Sequence, residues 1–225
     1  MAWVLQFDGG NDYALADFIE SMAQSFTIKV KFRSSDLTQD ARLFALTRGA
    51  SRPLIAIGTG ASVSTRDNIR FFVSSDSNTT EIDYTTTDIQ AAPFGDGLFH
   101  ELSVFFDNGS LSMILDGGTS VSIGSYTPAS YTVEQISLGA IFRTAPAAFL
   151  ECDIEYVTVT GDVSYDWDAT ASSHAAGTPV LTDTIGGNNA TGVNMPTDGS
   201  AWLDLGGSGI SIAVTLGTIE YNSND

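Results

Sequence analysis

Hydrophobic and polar residues alternate with a period of two along most of the chain. In 26–33, FTIKVKFR, the residues Phe26, Ile28, Val30 and Phe32 face one way while Thr27, Lys29, Lys31 and Arg33 face the other, which predicts a strand with one wet face. The same reading predicts strands at 3–7 (Trp3, Leu5, Phe7), 69–73 (Ile69, Phe71, Val73), 136–142 (Ile136, Leu138, Ala140, Phe142) and 210–216 (Ile210, Ile212, Val214, Leu216). In HELSVFFDNGSLSMILD, Leu102, Val104 and Phe106 precede Asp107-Asn108-Gly109, and Leu111, Met113 and Leu115 follow it. That is a β-hairpin closed by an Asn-Gly turn. One segment breaks the rule: in ALADFIESMA, 14–23, the residues Leu15, Phe18, Ile19 and Met22 follow helical spacing, so one or two helical turns are expected there. Many short strands with almost no helix mean a sandwich, jelly roll or barrel.

Composition sharpens this picture. The 225 residues are enough for one large all-β domain with a full core. Only 16% of residues are charged and 22 are glycine, so short strands joined by Ser, Thr, Asn, Asp and Gly turns account for the polarity. The single cysteine, Cys152, permits no internal disulfide and too few thiolates for a structural zinc or iron–sulfur site. The net charge is −18, and eight of the nine basic residues fall in the first 70 positions. Such a balance opposes binding to nucleic-acid phosphates and to anionic lipid. No apolar run reaches the ~18 residues that a transmembrane helix needs. The N-terminus, MAWVLQFDGGNDY, shows neither a basic n-region nor an apolar h-region, so export by a Sec signal in this chain is not expected.

Five segments in order, FDGGNDYALADFIESMAQSFTIKVKFRS, LFALTR, LFHELSVFFDNGSLSMILDGG, ISLGAIF and ECDIEYVTVTG, resemble the landmarks of laminin-G-like, concanavalin A-like jelly-roll domains. The resemblance covers residues 3–161. It implies a sandwich of two antiparallel sheets over 1–161, followed by an acidic, Gly/Thr/Asn-rich β extension over 162–225. Phe32 and Phe99 stand where that family usually has tryptophan, and Glu101 replaces the second histidine of its WHH strand.

Three constellations carry candidate chemistry. The first is Glu151-Cys152-Asp153-Ile154-Glu155, where strand alternation places three carboxylates on one face. It resembles the E-x-D-x-E motif of lichenase-type retaining β-glucanases, a resemblance that implies Glu151 as nucleophile, Glu155 as acid/base and Asp153 as the group tuning both. Against this, the motif follows the strand pair ending in DG instead of preceding it. Val157 and Val159 also share the parity of the three acids, so their face should turn apolar at once. The second is Asp8, Asn11 and Asp12 in the FDGGNDY loop, joined by Asp116 of ILDGG. Oxygen ligands on glycine-flexed loops suit a structural Ca²⁺, and ordinary Asx-turn chemistry is the competing account. The third is a set of aromatic residues off the core stripes, Tyr84, Tyr126, Tyr131, Trp167 and Trp202, whose rings would stack on sugars. Asp166, Asp168 and His174 cluster in DWDATASSH, and His100 opens a strand; packing or solvation is the expectation for both histidines.

The stretch TDTIGGNNATGVNMPTDGSAWLDL is similar to segments that accompany concanavalin A-like modules in phage structural proteins and bacterial adhesins. The expected role is therefore a non-catalytic structural or adhesion module on an assembly. A virion surface suits it if the chain is phage-encoded, and the cell surface otherwise. Its expected partners are other proteins of that assembly, further copies of itself and cell-surface glycans. The alternative is a retaining glycosidase acting through Glu151 and Glu155.

Overall fold

The computed structural model describes residues 2–21, 25–35, 40–48, 51–75, 77–86, 95–130, 132–162 and 164–206. In chain order its strands are β1 (Trp3–Asp8), β2 (Tyr13–Ser21), β3 (Ser25–Arg33), β4 (Arg42–Arg48), β5 (Ser51–Thr59), β6 (Ile69–Ser74), β7 (Thr80–Thr85), β8 (His100–Asp107) and β9 (Ser110–Leu115). There follow β10 (Val121–Ser125), β11 (Thr132–Leu138), β12 (Ile141–Phe142), β13 (Pro146–Ala147), β14 (Glu151–Thr160), β15 (Tyr165–Asp168), β16 (Val180–Asp183), β17 (Ala190–Val193) and β18 (Trp202–Asp204). Among the described residues the only helical element is a 3₁₀ turn at Pro128–Ser130, and no helix is long and apolar enough to cross a membrane.

Two antiparallel layers result. One runs β10-β9-β8-β3-β14, with β1 and β15 sharing the far edge of β14 and β18 outside β1; the other runs β17-β2-β11-β4-β5-β6-β7. The strands β15, β16 and β17 carry hydrogen bonding from the first layer round to the second. The inward stripes meet as one core, to which β3 gives Phe26, Ile28, Val30 and Phe32, and β8 gives Leu102, Val104 and Phe106. The hairpin between β8 and β9 turns at Asn108 and Gly109, both with positive φ (43° and 91°), as a type I′ turn requires.

Two expectations change. Residues 13–21 form β2, not helical turns: Ala14, Ala16 and Phe18 point into the core with period two, and β11 and β17 pair with its two edges. Helical spacing counted the large residues and missed the small alanines. Of the residues behind that expectation, Met22 lies outside the described residues, as does the strand expected at 210–216. The strand expected over 136–142 ends at Leu138, because Gly139 (φ 74°) turns the chain. Ile141 and Phe142 then fold back in the β12–β13 hairpin.

The described part of the C-terminal stretch, 164–206, shares the main core. Trp167, Leu181, Ala190 and Trp202 belong to the same apolar cluster as β3 and β8.

Candidate functional site

The acid-rich strand meets the FDGGNDY loop at one end of the first layer. Here β1 and β14 pair with Gln6 opposite Asp153 and Asp8 opposite Glu151, while β3 places Arg33 opposite Asp153 on the other side. A cavity of about 570 Å³ opens between these strand ends, with Ser34, Gly97 and Ser200 on its rim. That volume lies in the range of small-molecule sites.

Its polar groups are fixed by one another. Arg33 donates from Nε to Oδ2 of Asp153 (2.6 Å), and Gln6 donates from Nε2 to Oδ1 (3.2 Å). The Arg33 guanidinium carbon lies 5.0 Å from the centroid of the Phe99 ring, a cation–π distance. Ser34 donates its hydroxyl to the Glu151 carbonyl (2.6 Å). Gln6 donates its backbone N–H to the Ala201 carbonyl (2.9 Å), which seats the 198–201 turn beside β1. Asp8 Oδ1 accepts from the Gly10 and Asn11 amides (2.7 and 3.3 Å), the Asx-turn arrangement. Asp12 is buried; burial, then the neighbouring Asp8 charge, push its carboxyl above the ordinary value against the bond from the Asp8 backbone.

The acid motif is interrupted by a bulge. A register shift between Ile154 and Tyr156 makes Glu155 an extra residue on β14. Cys152 and Ile154 before it, and Val157 and Val159 after it, all enter the core, which removes the conflict of parity read from the sequence. On the outer face each β3 cation meets an acid: Lys29 with Glu101 (3.1 Å), Lys31 with Glu155 (2.8 Å) and Arg33 with Asp153 (2.6 Å). Glu151 opens on the cavity, whereas Glu155 is turned to Lys31. On the outer face of the second layer, Ile141 and Ala148 pack with Ala45, Leu54 and Ala56.

The expected oxygen set for Ca²⁺ is divided. Asp8 and Asp12 line the cavity, and Asn11 stands exposed beside them. Asp116 sits at the end of β9, four strand places from β1. Its Oδ2 is bonded to His100 Nδ1 (2.7 Å) and its Oδ1 accepts from the Glu101 amide (2.8 Å). Among the described residues no three His, Cys, Asp or Glu side chains are grouped to hold a metal ion.

The aromatic candidates do not form a stacking platform. Trp167 is 0% exposed and Trp202 6%, Tyr126 is buried and Tyr84 packs partly buried against the core; Tyr131 lies outside the described residues. Trp167 donates from Nε1 to the Asn188 carbonyl (2.5 Å). Burial raises the Tyr126 hydroxyl to about 12. Asp166, Asp168 and His174 also separate: Asp166 accepts from the Thr184 hydroxyl, Asp168 from the Thr170 amide, and His174 stacks on Trp3 at 3.9 Å. Sequence reasoning missed the cavity residues Gln6, Arg33, Ser34 and Ser200: alternation set Gln6 and Arg33 only off the apolar stripes, and Ser34 and Ser200 fell outside the segments it covered. The pairing of β1 with β14 is the information that unites them.

No protein-family model matches the chain, and no curated protein matches it. Solved structures do. Domains LG4-5 of the mouse laminin alpha1 chain align with a TM-score of 0.54 at 17% identity, over 76% of this chain and 43% of that one. A protein from Bacteroides ovatus described as carbohydrate binding aligns with a TM-score of 0.55 at 13% identity, over 87% of this chain and 61% of that one. The chain thus spans about half the length of these structures. Together with the two-layer topology, the likenesses define the class: a laminin-G-like, concanavalin A-like jelly roll.

Proposed function

We propose that this jelly roll is a non-catalytic glycan-binding module, and that the cavity between β1, β3 and β14 is its ligand site. The observation that carries the reading is the mutually fixed set Gln6–Asp153–Arg33 lining a cavity of about 570 Å³, with Ser34 and Ser200 also among its lining residues. An ionised carboxylate has about four lone-pair directions, so Asp153 retains acceptor capacity for sugar hydroxyls after binding Arg33 and Gln6. Preorganised groups of this kind lower the ordering cost of binding. The description of the Bacteroides ovatus neighbour as carbohydrate binding supports the same reading. Absence of catalysis is supported by the commitment of Glu155 to Lys31 and of Asp153 to Arg33.

The reading extends to display on an assembled surface, of a virion or a cell. Its support is the net charge of −18, which resists non-specific association. Incorporation into purified particles or envelope fractions, followed with an antibody, tests that part.

Co-sedimentation of the purified protein with a panel of insoluble polysaccharides and cell envelopes, with and without a calcium chelator, tests the binding. Reducing ends are assayed in the same tubes. Binding without release is expected. Release that is lost in Glu151→Gln would overturn the non-catalytic reading, and loss of binding on chelation would show that a divalent cation takes part in binding.

A further inference from the structure

His100 opens β8 and is 4% exposed, yet both of its ring nitrogens face carboxylates. Nδ1 lies 2.7 Å from Asp116 Oδ2 and Nε2 lies 3.0 Å from Asp96 Oδ1. A neutral imidazole has one N–H and can donate to only one of them, whereas an imidazolium donates to both. The protonated ring therefore ties the segment before β8 to the end of β9. Asp96 Oδ1 also accepts from the Leu98 amide (2.8 Å), and the intervening Gly97 donates its N–H to the Ser34 carbonyl (2.8 Å). Gly97 and Ser34 both line the cavity assigned to the ligand.

Among the described residues no basic group is seen to compete for these carboxylates. From β3 the ring of Phe32 faces His100 at 6.2 Å. Its neighbours Lys31 and Arg33 lie on the opposite face, with Glu155, Asp153 and the Phe99 ring. Glu101, next in the chain, turns to Lys29 and Tyr156.

We propose that His100 is a pH-sensitive latch: its protonated ring holds Asp96–Leu98 on the cavity rim, and loss of the proton releases that rim and weakens ligand binding. The ligand half of this statement rests on the reading given under Proposed function; the latch itself does not. Burial opposes the charge on His100, but the bonds to Asp116 and Asp96 outweigh it and raise its pKa above the ordinary value. A raised histidine contributes stability that is complete below its unfolded value, about 6.5, and that disappears as pH rises through the folded value.

The test combines an NMR titration of the His100 ring with exchange of the Gly97 amide, corrected for its intrinsic pH dependence, and with affinity for a soluble oligosaccharide of the polysaccharide that sediments the protein. The expected result is one shared midpoint. Gly97 exchanges about tenfold faster and affinity falls about tenfold on its alkaline side, about 1.4 kcal/mol by the tenfold conversion. Asp96→Asn, which still accepts from Leu98, moves the ring titration and the Gly97 response down in pH together. The latch is overturned if Gly97 protection does not follow the His100 titration, or if Asp96→Asn moves one without the other. If Gly97 follows His100 while affinity is flat with pH, control of binding is overturned and the glycan reading stands. If no polysaccharide binds at any pH, the glycan reading fails, and the Gly97 measurement still decides the latch.

Discussion

Asp153 stands between Arg33 and Gln6, with Oδ2 2.6 Å from Arg33 Nε and Oδ1 3.2 Å from Gln6 Nε2. This links three strands at the end where the cavity opens. The Arg33 side chain is about one-third exposed, so solvent screens the pair and its net contribution to folding is modest, at most about 1 kcal/mol. Its weight falls on geometry at the cavity floor.

Asp153→Asn is therefore expected to separate binding from stability. Calorimetric titration with an oligosaccharide should show an affinity loss of about tenfold, equivalent to about 1.4 kcal/mol, while denaturant unfolding shifts by no more than about 1 kcal/mol. A large stability loss would assign Asp153 to the scaffold.

Gly139 predicts the opposite pattern. A Cβ there would lie 2.5 Å from Cδ1 of Phe7, and its φ of 74° is in the left-handed region. Phe7 is fully packed and also lines the cavity wall. Gly139→Ala should destabilise by about 2–4 kcal/mol from overpacking and backbone strain together, measured by urea unfolding.

Asp183 explains the DTIGGNN turn. Its carboxylate accepts from the amides of Asp166 (3.0 Å) and Ile185 (3.1 Å) through Oδ1, and of Gly186 (3.1 Å) and Asn188 (3.0 Å) through Oδ2. Burial would raise its pKa, but the four amides outweigh burial and hold it below the ordinary carboxylate value. A depressed carboxylate contributes stability that is complete above its unfolded pKa, about 3.9, and that is lost as pH falls through the folded value. Asp183→Asn should cost about 3 kcal/mol at pH 7, and the gap from wild type should narrow as denaturation is repeated towards pH 3.

Trp167→Phe tests the aromatic reading. The substitution removes the bond to the Asn188 carbonyl and part of the core, for an expected loss of about 2 kcal/mol. Glycan affinity should be unchanged, because the ring is buried; a selective affinity loss at full stability would restore Trp167 to the binding surface.

The fold was legible where alternation runs long. The eight residues FTIKVKFR span four periods and specify both faces of β3. Strands β15 to β18 have three or four residues each, barely two periods, so the burial of Trp167 and Trp202 could not be read from pattern. The carboxylates of β14 were visible as a set, but the bulge at Glu155 and the cations opposite them depend on partners more than 100 positions away. Likewise Asp8 and Asp116 look alike as turn aspartates, and only strand order separates them by four places.

The most direct measurement is backbone and side-chain NMR mapping of the protein titrated with a soluble oligosaccharide of the polysaccharide that sediments it. The account predicts saturable shift changes at Gln6, Arg33, Ser34, Asp153 and Ser200, around the cavity of β1, β3 and β14. Changes confined to the outer face over Ala45, Ala56 and Phe72, with the cavity residues unmoved, would contradict it.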